Sequence, residues 1–385
     1  MIAGDEIPRT LIVDLAQGFG GTSSRVLRLL SELPASRVEL AALETGAIAQ
    51  RAQALGFPVH VVGRSKADPR VVGRLVRIIR EGEFKLVDTQ NIQSKFWGSM
   101  AAVRARAGLV STINSWYEAE HGGSLKGRIY QAIELATNHE LDMYIVVSSE
   151  HRTRLLRAGI PESRIQVILN AVEIDPSAVG GGRDWLCATF GLPPDAIVCC
   201  AVGRLVPAKD YPLLIRAMKE ALAYQPRLYA LIVGGGPLRD SLASQIARAG
   251  LQERVRLLGF RDREETLSII KSSDLFVMSS SYEGTPVALL EAAALARPIV
   301  ATRAGGIPDL VTHGTHAHLV DGGDAIGLAA GLIWVCDHPE EAAYLGQQAR
   351  QHVVDNFNPR RQAEATMRAY QLAYANYRQR IATQG

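Results

Sequence analysis

The sequence predicts an α/β protein made of two doubly wound parallel-sheet domains that face each other across a cleft. Three observations carry that prediction. Apolar runs of strand length alternate with helical stretches along nearly the whole chain, a pattern that implies parallel pairing through helical crossovers. At 385 residues the chain is too long for one ordinary core. Between Asn170 and Asp184 the alternation stops at a stretch holding Pro176 and three consecutive glycines, 180 to 182, which reads as an interdomain linker.

The elements follow in order. A strand at 10–15 leads into the glycine-rich turn Gly18-Phe-Gly20-Gly21-Thr-Ser-Ser24 and an amphipathic helix over 25–33. Further strands are expected at 38–43, 58–62, 85–88, 109–113, 143–147 and 165–169. After the linker, strands recur at 197–202, 228–233, 254–258, 275–278 and 298–302. Residues 359–381 are polar, with tyrosines and alanines at helical spacing, and end the chain without another strand. The expected division is therefore 1–175 as a first Rossmann-like, acceptor-binding domain and 176–358 as a second, donor-binding one. A tail, 359–385, packs back across the domains. In such an arrangement ligands bind at the carboxyl ends of strands.

Composition excludes several classes. A net charge of +3 and no nucleic-acid signature leave no case for DNA or RNA as partner. Cys187, Cys199, Cys200 and Cys336 show no CxxC spacing, and the adjacent pair lies inside an apolar strand, so buried free thiols fit better than disulfides or zinc. The first residues carry acids and a proline where a signal peptide would be basic and then apolar, and no apolar run is long enough to cross a bilayer. The expected location is cytoplasmic.

The most informative stretch is Tyr282-Glu283-Gly284-Thr285-Pro286-Val287-Ala288-Leu-Leu-Glu291. It follows the strand at 275–278. Thr285 reads as an N-cap and Pro286 as the first helical residue, with the helix running to about Ala296 and Pro298 enforcing its stop. Glu283 then lies on a strand-end turn and Glu291 in the second turn of an apolar helix. Free N–H groups between them suit a phosphate, and the carboxylates suit sugar hydroxyls. The bland alternative is one capping and one solvated glutamate. A second strand end, at Val202, leads to Gly203, Arg204 and Lys209. An arginine fork and a lysine point charge can neutralise a departing diphosphate, although two basic residues in a loop can also be plain surface charges.

These motifs, together with Val233-Gly-Gly-Gly-Pro237, Leu258-Gly-Phe260 and Ala304-Gly-Gly-Ile-Pro308, resemble the GT4 family of retaining glycosyltransferases, which have the GT-B fold. The resemblance is strong from Gly203 to Pro308 and weaker in the first half, at Val146-Val-Ser148-Ser and Val167-Ile-Leu-Asn170-Ala-Val-Glu. It implies that Arg204 and Lys209 bind the donor diphosphate, Glu283 the donor sugar and Glu291 the ribose. It further implies that amides near Val287 and Ala288 cradle phosphate, that Leu258 to Arg261 flank the nucleobase, and that Gly20 and Gly21 border the sugar and phosphate. The implied reaction moves a hexose from a nucleotide-diphosphate sugar, UDP in preference to GDP, to a hydroxyl acceptor. The acceptor could be a glycan, a lipid-linked sugar or a small natural product. Anomeric configuration is retained, and no metal or covalent nucleophile is needed.

Some positions depart from the family. Asn114 stands where many members have histidine, and an amide cannot take a proton. His121 either substitutes for it or is a loop histidine. Trp116, Tyr117 and Trp97 either face a sugar or are ordinary core residues, and Ser148 ends a strand of the same domain. His313, His316 and His318 cluster in sequence, but no carboxylate at fixed spacing accompanies them, so no metal is expected. The stretch 66–85, with Arg70, Arg74, Arg77 and Arg80 between apolar residues, reads either as a helix docking peripherally on an anionic membrane face or as a surface helix with its apolar side on the core. Two other function classes stay open. A nucleotide-sugar 2-epimerase of the same fold would need proton-moving acids and histidines in the first half. A catalytically silent sugar-nucleotide binder is suggested by Asn114 alone.

Overall fold

A computed structural model describes residues 7–18, 20–44, 46–65, 68–116, 125 and 141–384 of the chain. They form two compact units. Residues 7–116, 141–171 and 359–384 make the first, and Val172–Asn358 the second.

The first unit holds a seven-stranded parallel sheet in the order β3-β2-β1-β4-β5-β6-β7. The strands are β1 (Thr10–Asp14), β2 (Val38–Ala42), β3 (Val59–Val61), β4 (Leu86–Thr89), β5 (Gly108–Ile113), β6 (Met143–Val146) and β7 (Ile165–Val167). Every residue of β1, β4, β5 and β6 is buried. Burial on both faces is what makes these strands read as continuous apolar runs rather than alternating ones. Helices α1 (Gly21–Glu32), α2 (Ala47–Ala54), α3 (Arg70–Glu81), α4 (Ile92–Ala105) and α5 (Ser149–Arg157) connect them. The terminal helix, which we number α14 (Pro359–Gln384), packs on α1 and on β4, β5 and β6. Val26, Leu29, Leu40, Val110, Ile145, Tyr370 and Ala373 share one core.

The apolar face of α3 is spent inside the unit, with Val71, Leu75 and Ile79 at most 1% exposed. Arg74 is tied to Asp68 and to the Val62 carbonyl, and Arg80 to the Arg104 carbonyl. Val72, Val76 and Ile78 of the same helix stay half-buried beside the arginines. Among the described residues no helix is long and apolar enough to cross a membrane.

The second unit holds a six-stranded parallel sheet in the order β10-β9-β8-β11-β12-β13. Strands β8 (Ile197–Val202), β9 (Leu228–Val233) and β11 (Leu275–Met278) fall where the sequence places them, with β10 (Val255–Gly259) and β12 (Ile299–Thr302) within a residue of it. Helix α6 (Arg183–Phe190) precedes β8, and the crossovers carry α7 (Tyr211–Ala221), α8 (Arg239–Arg248), α9 (Arg263–Ser272), α10 (Val287–Ala294) and the short α11 (Ile307–Leu310). Strand β13 (His318–Val320), α12 (Ala325–Asp337) and α13 (Pro339–Asn356) complete it. Cys199 and Cys200 are fully buried free thiols on β8.

Four sequence expectations are corrected. Thr285 is not the N-cap of α10. Pro286 occupies that position in extended backbone, no side chain caps the helix, and the first turn begins at Val287. The helix ends at Ala294 before a left-handed Ala296, so the stop comes from backbone reversal ahead of Pro298. Strand β13 was not expected, because three residues beside a histidine cluster give too short an alternation to register as a strand. The stretch 170–184 is not all linker, since α6 starts at Arg183.

Candidate functional site

In each unit the strand order reverses beside one central strand, and the loops leaving adjacent carboxyl ends diverge there. In the second unit the reversal lies between β8 and β11, from which the loops 203–210 and 279–286 emerge. Lys209 and Glu283, 74 positions apart, meet there. Lys209 Nζ lies 2.5 Å from Glu283 Oε1, with side chains only 20% and 8% exposed.

The backbone around this pair is tightly braced. Ser281 and Tyr282 donate their N–H groups to the Ala208 carbonyl, and Ser279 Oγ donates to the Lys209 carbonyl at 3.0 Å. Gly203 donates to the Val233 carbonyl, and Leu205 to that of Gly235, so the loop bearing Arg204 rests on the glycine run after β9. The Tyr211 hydroxyl donates to the Gly203 carbonyl at 3.2 Å. Burial holds that phenol far above its usual pKa, with the Glu283 charge acting in the same direction, so it stays a donor. Arg204 itself is exposed at the loop surface.

On the other side, Gly306 donates its N–H to the Glu283 carbonyl at 3.0 Å. Gly305 sits at φ +55, and a Cβ there would fall 1.9 Å from that same carbonyl oxygen. A left-handed φ and direct backbone contact both demand glycine here. Gly305→Ala is expected to cost at least about 1–3 kcal/mol of stability in the second unit and to displace Glu283. A melting temperature equal to wild type would contradict this.

Gly284 and Thr285 lead from Glu283 into α10, with Thr285 buried at 6% exposure. The N–H groups of Val287 and Ala288 belong to the first helical turn, where no intrahelical acceptor exists. Glu291 projects from the second turn at 8% exposure, and its Oε1 lies 3.5 Å from Arg263 at the start of α9. Just before that helix, Phe260 is 80% exposed, whereas Arg261 is bound to Glu265 at 3.0 Å.

In the first unit the reversal lies between β1 and β4. Gly20 caps α1 in ordinary extended backbone, and a Cβ on Gly18, Gly20 or Gly21 would meet nothing within 4 Å. Neither local conformation nor packing requires glycine at those positions. Beneath them Asp14 accepts from Ser23 Oγ at 3.1 Å and Asn91 Nδ2 at 2.8 Å, which joins the two loops. Burial raises the Asp14 carboxyl above its ordinary pKa, and those hydrogen bonds lower it again. Asn114, after β5, donates to the Gln90 carbonyl at 3.0 Å, while its Oδ1 has no hydrogen-bond partner among the described residues. Trp116 is 5% exposed and packs against His151, with the Arg154 guanidinium 5.5 Å from its ring. Ser148 is fully buried and caps α5 by accepting the His151 N–H. These contacts give Trp116 and Ser148 structural work. His121 and Tyr117 lie outside the described residues.

The histidines of 313–318 hold a turn. His313 Nδ1 accepts the Leu319 N–H at 3.0 Å, His316 Nδ1 accepts that of Thr312 at 3.2 Å, and His316 stacks on His352. Among the described residues no group of three or more metal-ligating side chains comes together. Sequence reasoning missed Ser280 and Thr302 around Glu283, whose only signal was their position at strand ends, and it quoted Gly305 only as part of the Ala304–Pro308 motif.

Two parallel doubly wound sheets, with a lysine and a glutamate meeting at a strand-order reversal, define the class as a two-unit α/β protein whose candidate site lies at a switch point. Comparison with known proteins makes this specific. Residues 188–352 match the family described as glycosyl transferases group 1, and residues 19–176 match glycosyltransferase family 4. The chain belongs to the GT4 family. A GDP-mannose-dependent alpha-(1-6)-phosphatidylinositol monomannoside mannosyltransferase of Mycolicibacterium smegmatis is 29% identical over 305 residues, covering 75% of this chain and 77% of that protein. The D-inositol 3-phosphate glycosyltransferase of the same organism is 31% identical over 65% of this chain, and the match spans only 55% of that relative's length. Among solved structures, Anabaena Alr3699/HepE in complex with UDP and glucose superposes with a TM-score of 0.79 at 23% identity, covering 93% of this chain and 97% of that one. The sucrose-phosphate synthase of Thermosynechococcus elongatus gives 0.74 at 20% identity, over 97% and 99% of the two chains.

Proposed function

We propose that this glycosyltransferase moves a hexose from a nucleoside-diphosphate sugar, with uridine as the base, to a hydroxyl acceptor and retains the anomeric configuration. The observation that carries the reading is the meeting of Lys209 and Glu283 beside the open start of α10. Lys209 offers a cation for phosphate and Glu283 a carboxylate for sugar hydroxyls at neighbouring strand ends.

In this reading Arg204 and Lys209 take the diphosphate and the N–H groups of Val287 and Ala288 share its charge. As the bond between sugar and phosphate loosens, negative charge grows on the leaving group, and these donors stabilise it. They supply the positive charge that a metal ion would otherwise bring. Glu283 holds the sugar and Glu291 the ribose, while Phe260 and Arg261 flank the base. The acceptor hydroxyl enters on the face the diphosphate leaves, and the departing phosphate takes its proton.

Two measurements test this. UDP should raise the melting temperature, because a ligand that binds only folded protein stabilises it, and GDP should raise it less. The mannosyltransferase relative takes GDP-mannose, so a larger shift with GDP would transfer the base preference to guanine. Glu291→Ala should weaken binding of the diphosphate by about 1–3 kcal/mol through lost charge-assisted hydrogen bonds. Unchanged affinity would remove Glu291 from the ribose site. Free nucleoside diphosphate among the products fits transfer or slow hydrolysis, whereas isomerised nucleotide-sugar would point to epimerase chemistry.

A further inference from the structure

Among the described residues, the Glu283 carboxylate is held on one side only. Lys209 Nζ at 2.5 Å and Ser280 Oγ at 2.6 Å both reach Oε1, and neither reaches Oε2. Ser280 is 1% exposed, and a serine hydroxyl has a single hydrogen to give, which here goes to Glu283. The Ser280 carbonyl in turn accepts from Thr302 Oγ1 at 2.6 Å, a side chain fully buried at the end of β12. Gly306 fixes the Glu283 backbone through its carbonyl. The carboxylate is thus anchored to two strand ends through one hydroxyl.

We propose that Ser280 is a positioning residue that sets the orientation of Glu283, so that Oε2 faces a hydroxyl of the donor sugar. The inference rests on the reading of this site as a nucleotide-sugar site. Its physical basis is a conflict of duties at Lys209. Once a diphosphate is bound, the ammonium group is drawn toward phosphate oxygens, and its grip on Glu283 weakens. Ser280 carries no charge and has no competing partner, so it alone keeps the carboxylate aimed in the loaded site. Its contribution therefore falls on the sugar and on turnover, not on the nucleotide.

The test compares wild type, Ser280→Ala and Ser280→Thr, with UDP, UDP-glucose, GDP and GDP-mannose as probes. Affinity for each bare diphosphate and for each sugar nucleotide is measured by calorimetry, and kcat and KM are measured for release of diphosphate. Ser280→Ala is expected to keep diphosphate affinity within about twofold of wild type. It should lose the extra affinity that the sugar confers and lower kcat by about tenfold to a hundredfold, the scale of an ångström of misplacement. Ser280→Thr, which keeps the hydroxyl, should recover most of both. Wild-type kcat and sugar affinity in Ser280→Ala overturn the proposal alone. So does a loss of diphosphate affinity and melting temperature in step with activity that threonine does not rescue, because that pattern marks a merely structural residue. If wild type binds neither diphosphate, the nucleotide-sugar reading falls, and this inference falls with it.

Discussion

Lys209→Ala is expected to abolish sugar transfer, lowering turnover by about 10²–10³-fold, the cost of removing one preorganised donor from a developing oxyanion. Lys209 closes a short 3-10 turn (Pro207–Lys209), and its stem runs along Gly203, where a Cβ would meet Lys209 Cε at 3.0 Å. The ammonium group therefore arrives already placed, and little ordering entropy is lost when ligand binds. The variant also strips Glu283 of its counter-charge at 8% side-chain exposure. Ser280 still donates to that carboxylate, and the loop retains the backbone bonds from Ser281 and Tyr282 to Ala208. The fold should thus survive, with circular dichroism like wild type and a modest drop in melting temperature. Lys209→Arg should restore only part of the activity, because a planar fork does not occupy the place of a compact point charge. Near-normal turnover in Lys209→Ala would remove the residue from the diphosphate site.

The second large effect is on stability. Arg25→Met is expected to destabilise the first unit by about 1–2 kcal/mol near neutral pH, because the buried Asp88 loses its counter-charge but escapes the full penalty by taking up a proton. Arg25, on α1, is fully buried, and its three guanidinium nitrogens have no hydrogen-bond partner among the described residues. Burial pulls the guanidinium below its usual pKa, and the charge of Asp88 holds it up. Asp88, equally buried on β4, accepts from Tyr370 of the terminal helix at 2.8 Å, Thr112 at 2.8 Å and Gln90 at 2.8 Å. Burial raises its pKa to about 6 in spite of those bonds and of Arg25.

The sign of the pH effect follows. A carboxyl whose folded pKa lies above its unfolded value of 3.8 stabilises the fold when protonated, and that contribution is lost as pH rises through about 6. Without Arg25 the folded pKa of Asp88 climbs further. The penalty of Arg25→Met should therefore be larger in mildly alkaline than in mildly acidic urea denaturation. Adding Asp88→Asn should recover part of the loss. Strictly additive penalties, or none that depends on pH, would show that the two charges do not compensate each other.

Arg25 also marks a limit of sequence reading. The sequence presents it as the first polar residue of an amphipathic helix, and the terminal helix as polar with spaced tyrosines. Only packing of the terminal helix onto α1 brings Tyr370 over Asp88 and closes Arg25 off from water. An isolated helix pattern contains no information about a partner some 345 residues away along the chain. The same holds at the start of α10. Thr285-Pro286 carries a strong local signature for an N-cap followed by a first-turn proline, yet the loop is tied by Gly306 to the Glu283 carbonyl and enters the helix one residue later.

The sequence by itself determined the class of fold and marked the strand-end stretches in which the candidate site residues lie. Strands buried on both faces must be continuously apolar, strands joined by helices must run parallel, and parallel sheets expose their useful loops at carboxyl ends, so the stretches around Arg204 and Glu283 were legible as local patterns. The tertiary structure alone decided what each of those side chains touches. Which oxygen of Glu283 is occupied, which glycine abuts its backbone and which arginine is sealed in the core depend on contacts between residues far apart in the chain, and short-range propensity cannot encode them.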